Sequence, residues 1–134
     1  MILPSGLPEE VADDEPLARF LTSSGQFNKS AVKQSAFLPN KKDGKTSVFR
    51  HGAKPQAALI AIANEHIGSS RGVHGAGIVR AGDVRAVQLD VQSQEPPPRH
   101  ADITNWPPWM EKARQKEIAI LLAQKAELVL FSAT

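Results

Sequence analysis

Short apolar runs closed by tight-turn signals constrain this chain more than any other feature. Asn40-Lys41-Lys42-Asp43-Gly44 stands between Ala36-Phe37-Leu38, stopped by Pro39, and Thr46-Ser47-Val48-Phe49-Arg50. Asp-Gly supplies the positive φ angles of a tight hairpin, and the β-branched and aromatic residues of the second run suit a pleated strand. A hairpin over residues 36–50 is therefore expected. Leu17-Ala18-Arg19-Phe20-Leu21 reads as an earlier strand, ended by Ser23-Ser24-Gly25. Residues 77–81 read as another strand. After the turn at Gly82-Asp83, Val87, Leu89 and Val91 alternate with Gln88, Asp90 and Gln92, which predicts a strand over residues 84–91.

Only two segments carry the helical period. Pro55 suits a first helical position, and Leu59, Ile62, Ala63 and His66 follow at i, i+3, i+4 and i+7, with Gly68 as a stop. The second helix begins near Pro107 or Pro108, capped by Asn105. Ile118, Leu121, Leu122, Ala126 and Val129 form its apolar stripe, with Glu111, Lys112, Arg114, Lys116 and Lys125 on the other side. Residues 128–131 either end this helix or form a closing strand. Tight turns between strands, two helices and no strict βαβ alternation together indicate an α+β fold: a small, mostly antiparallel sheet with two α-helices packed on one face.

Charge divides the chain. Residues 1–16 hold Glu9, Glu10, Asp13, Asp14 and Glu15 without a Lys or Arg, together with Pro4, Pro8 and Pro16. They are expected to be a mobile acidic arm ahead of a single domain over residues 17–134. The remainder carries 16 basic against nine acidic residues, or +7, which favours anionic ligands. Cysteine is absent, which excludes disulfides, thiolate zinc sites and cysteine nucleophiles. No apolar run approaches the roughly 20 residues that span a bilayer. The first residues lack the basic and apolar regions of a secretory signal, so a soluble, cytoplasmic protein is expected, without a membrane partner.

Three stretches could carry chemistry. In Arg99-His100-Ala101-Asp102 an extended backbone would put His100 and Asp102 on one side, the pairing that keeps an imidazole basic for proton transfer. Ser47, Arg50 and His51 lie on and just after the hairpin's second strand, and the planar fork of Arg50 matches phosphate or carboxylate. The glycine-bearing residues 68–77, with Arg71 and His74, offer backbone amides but neither phosphate-loop spacing. His66 reads as a core histidine. Trp106 and Trp109, either side of two prolines, could stack a ring or pack in the core.

The expected function is binding of a nucleotide or other phosphate-bearing ligand. Arg50, Arg99, Ser47 and His51 would contact it, and His100, oriented by Asp102, would be the group for any proton transfer. The alternative is a non-catalytic protein-interaction or regulatory module, suggested by the acidic arm, Pro96-Pro97-Pro98 and the tryptophans. Nucleic acid ranks below both, because the charges are scattered and no known motif is present. No metal site and no cofactor are expected: four histidines lack both thiolate partners and an H-x-x-x-H pair.

Overall fold

The computed structural model describes residues 2–51, 56–66 and 72–131. Its strands are β1 (Pro16–Leu21), β2 (Thr46–Arg50), β3 (Gly75–Arg80), β4 (Asp90–Ser93), β5 (His100–Thr104) and β6 (Glu127–Leu130). Its helices are α1 (Gln56–His66), α2 (Ala81–Ala86) and α3 (Lys112–Lys125). The strands form one sheet in the order β4-β5-β2-β1-β3-β6, with every pair antiparallel.

Alternation along each strand divides its side chains between two cores. Leu17 and Leu21 of β1, Val48 of β2, Val79 of β3 and Ile103 of β5 share a cluster with Ala81 and Val84 of α2 and with Ala119 and Leu122 of α3. Two helices thus lie on one face of an antiparallel α+β sheet. Ala18, Phe20, Phe49 and Ala76 project the other way, against Leu59, Ile62 and Ala63 of α1. The two helices legible in the sequence therefore sit on opposite faces, and α2 supplies the second helix of the α3 side.

Several local expectations are corrected. Ala36-Phe37-Leu38 is not a strand: residues 34–36 form a 3-10 turn and Phe37 is fully buried beneath α3. The turn itself forms, with Gly44 at φ +69° and its amide donating to the Asn40 carbonyl at 2.8 Å. The strand that follows finds its partners in β1 and β5 instead. Residues 84–91 divide into the end of α2 and the start of β4, because the Ala81 and Gly82 amides donate to the carbonyls of Glu15 and Asp13 and seat a helical turn there. Residues 127–130 form strand β6, so Val129 leaves the helical stripe, while Leu121 is exposed. The expected helix opening at Lys54-Pro55, the stop at Gly68 and residues 68–71 lie outside the described residues, as does the side chain of His66.

The acidic N-terminal segment lies against the sheet. Val11 is buried, the carboxylate of Asp13 pairs with Arg85 at 2.6 Å, and that of Glu15 pairs with Arg50. Ser5 donates to the Glu95 carboxylate through both its amide and its hydroxyl. The guanidinium groups that meet these carboxylates stand on α2 and β2. Among the described residues, no helix is long and apolar enough to cross a membrane.

Candidate functional site

The residues expected to share one pocket are divided between the two faces of the sheet. In β2, Ser47 and Phe49 point toward the α1 side, whereas Val48 and Arg50 point toward the α2–α3 side. Pairing of Ser47 with Asp102 and of Phe49 with His100 puts the histidine and aspartate on the same side as the serine. Ser47, His100 and Asp102 therefore meet, and Arg50 does not join them. An anion pocket shared by Arg50 and His100 is not assembled.

Arg50 is also fully occupied. It has 0% exposure. Its Nε and Nη2 hold the Glu15 carboxylate, the latter at 2.8 Å, and Nη1 donates to the Pro8 carbonyl at 2.7 Å and to Ser93 Oγ at 3.0 Å. The fork that suits a phosphate takes the chain's own carboxylate. Arg99 lies beside it, half-buried at φ +69°, with Nη1 directed at the Arg50 carbonyl, 3.4 Å away.

At His100, Nδ1 lies 2.9 Å from the Gln94 carbonyl and Nε2 lies 2.6 Å from Ser47 Oγ. A carbonyl only accepts, so Nδ1 carries the proton and Nε2 accepts from the serine hydroxyl. Asp102 Oδ1 is 3.7 Å from Nε2, and the ring meets Phe49 edge-on at 5.3 Å. This is an oriented Ser–His pair with its donor and acceptor capacity used within the fold. Any reactant must displace the serine hydroxyl to reach Nε2.

His51 presents the opposite case. It is 4% exposed, and neither ring nitrogen has a hydrogen-bond partner among the described residues. Burial lowers its pKa below 6.5, opposed by the negative charge of Glu15 and assisted by the positive charge of Arg99. Because the folded pKa is the lower one, the unfolded chain takes up the proton first as pH falls. Stability is unaffected well above pH 6.5 and declines below it, down to the depressed value. Thermal melts from pH 7.5 to 5.5 should therefore fall less steeply for His51→Leu than for the wild type. Equal slopes would show that the buried ring carries no proton linkage. At pH 7.5 the variant should be at least as stable, since it removes two unsatisfied polar atoms.

The cationic and aromatic groups that remain accessible gather elsewhere. After β5, Asn105 takes φ +69° and donates from Nδ2 to the Gln88 carbonyl at 2.9 Å. Trp106 then packs on the core with its Nε1 buried and without a partner among the described residues. Pro107-Pro108 carries the chain outward, so that Trp109 and Met110 are 67% and 72% exposed. Gln115 Nε2 returns to the Pro107 carbonyl at 2.7 Å and ties α3 to this corner. The corner and residues 34–41 enclose a cleft of about 710 Å³ lined by Leu38, Lys41, Trp109, Lys112 and Lys116. An adjoining cleft of about 400 Å³ shares Lys41 and Trp109 and adds Lys45, Asp43 and Trp106.

The first turn of α3 holds no acidic residue, and Glu111 at its N-cap makes no side-chain capping bond. Lys112 and Arg114 add positive charge at the positive end of the helix dipole, and the Glu111 carboxylate, 4.0 Å from Arg114, offsets part of it. In the sequence these residues read as a solvated face and residues 40–44 as a turn. The local signal that marks them is the run of Lys112, Arg114 and Lys116 shortly after Trp109.

Comparison with protein-family models, curated proteins and solved structures finds no match in any of the three. Among the described residues, no group of three or more His, Asp or Glu side chains is placed to hold a metal ion.

Proposed function

We propose that this protein binds a phosphate-bearing ligand with a flat ring, a nucleotide in the simplest case, in the cleft between residues 34–45 and the start of α3. The observation that carries this reading is an indole 67% exposed beside Lys41, Lys112 and Lys116. Trp109 offers a face for the ring, worth about 1–3 kcal/mol per stacked base. The lysines meet the phosphate. The phosphate-ligand function expected from the sequence is retained, and its site moves from Arg50 and His100 to Trp109 and the lysines. Binding, not turnover, is the activity proposed, and the cytoplasm is where such ligands are abundant.

Titration with ATP, AMP and inorganic phosphate, followed through the two indole N–H resonances, tests the assignment. The Trp109 resonance is expected to move more than that of Trp106. Trp109→Ala should weaken nucleotide binding about 5- to 150-fold, the equivalent of 1–3 kcal/mol. Lys112→Glu should weaken nucleotide and phosphate alike. Absence of any shift at millimolar ATP and low salt would refute the assignment. The adjacent exposure of Trp109 and Met110 also favours a second reading, a non-catalytic module that docks a protein partner. Capture of an acidic peptide without any nucleotide response would select it.

A further inference from the structure

The cleft at Trp109 does not end there. It continues along α3 into a third hollow of about 580 Å³, lined by Val32, Lys33, Ser35, Ile120, Ala123 and Gln124. The shared linings of Gln34 and Ser35 at one junction, and of Pro39, Lys41, Trp109 and Gln115 at the other, make the three hollows one seam. The seam follows a single stripe of α3, since Lys112, Gln115, Lys116, Ile120 and Ala123 recur at three- and four-residue spacing. From Lys112 to Gln124 it runs for about 18 Å at the helical rise. Five lysines line it (Lys33, Lys41, Lys45, Lys112 and Lys116), against one acidic residue, Asp43. Between the charges lie Val32, Leu38, Ile120 and the indole of Trp109.

Two of the five, Lys33 and Lys45, lie outside the hollow lined by Trp109, Lys41, Lys112 and Lys116. We infer that the seam takes a single-stranded nucleic acid segment of about four nucleotides, the lower end of sites that combine a cationic track with stacking surfaces. This inference rests on the nucleotide reading above and specifies its occupant. Phosphates follow the lysines, one base stacks on Trp109, and others lie on the apolar floor. An acidic peptide would use the lysines but not the ring. Low rank for nucleic acid in the sequence followed from scattered charge; five of those charges converge once residues 33–45 pack against α3.

Fluorescence anisotropy can compare AMP, oligothymidylate and oligoadenylate eight nucleotides long, the corresponding duplex, and polyglutamate, each as competitor of a labelled oligonucleotide. NMR titration with AMP gives the mononucleotide affinity independently. The octamers should bind at least about tenfold tighter than AMP and tighter than duplex or polyglutamate. The logarithmic salt slope should be about −2 if three phosphates are neutralised. Lys33→Glu, at the far exposed end of the seam, should weaken the octamers about tenfold and leave AMP binding unchanged. Trp109→Ala should weaken both. If the octamers bind no tighter than AMP, or Lys33→Glu has no effect on them, the strand is overturned and the nucleotide cleft stands. If neither octamer nor AMP binds, both fall. Polyglutamate binding as tightly as the octamers overturns the nucleic acid in favour of an acidic protein segment.

Discussion

Arg50→Ala is expected to destabilise the fold by about 3–5 kcal/mol, the range for removing one partner of a buried, hydrogen-bonded ion pair. The guanidinium has 0% exposure, and its donors serve Glu15, Ser93 and the carbonyl of Pro8. Truncation leaves the Glu15 carboxylate, itself only 14% exposed, facing a cavity, with a backbone carbonyl unsatisfied beside it. Domains are commonly stable by about 5–15 kcal/mol, so the loss is a large fraction of the whole. Residues 2–15 should also become more sensitive to proteolysis, because the bonds from Arg50 to Pro8 and Glu15 hold that segment on β2. The double substitution Arg50→Met with Glu15→Leu should recover part of the loss, since an apolar pair removes the uncompensated charge. Urea unfolding gives both numbers. A loss below 1 kcal/mol for Arg50→Ala, with no change in proteolysis, would show that the pair is incidental to stability.

Phe37→Ala should cost a comparable amount, about 3–5 kcal/mol, through the lost transfer energy and the cavity left behind. Phe37 is fully buried in the cluster beneath α3. Its ring fits because β3 carries a glycine opposite it: a Cβ on Gly77 would stand 3.4 Å from Phe37 Cζ and 3.1 Å from Val32 Cγ2. Truncation should also weaken ligand binding, because Leu38 and Pro39, which line the cleft, follow directly in the chain. Phe37→Leu, which keeps most of the volume, should be milder on both counts. If Phe37→Ala unfolds at the wild-type urea midpoint, the core does not depend on this ring.

Local chemistry was legible wherever the deciding contacts are local. Thr46–Arg50 is a strand with the bounds its β-branched and aromatic residues suggest, and Gly44 adopts the positive φ that its turn requires. His100 and Asp102 do share a face, because alternation along an extended segment is a property of the segment itself. An apolar triplet such as Ala36-Phe37-Leu38 looks the same whether it lies in a sheet or plugs the space beneath a helix. The division of Leu89 and Val91 from α2 is hidden in the sequence because hydrogen bonds from the Ala81 and Gly82 amides to the carbonyls of residues 15 and 13 decide it.

Alternation, turn chemistry and helical period, all short-range steric effects, were enough to establish an antiparallel α+β chain and to say which of its side chains can face the same way. They could not say which strands become neighbours, nor what fills the fork of Arg50. Its partner Glu15 stands 35 residues away, and loop closure brings the two together only when the sheet forms. The same long-range packing separates Arg50 from His100 and draws Lys33, Lys41, Lys45, Lys112 and Lys116 to one seam beside Trp109. Charges dispersed in sequence act together only where burial of the apolar residues between them brings their backbones into register.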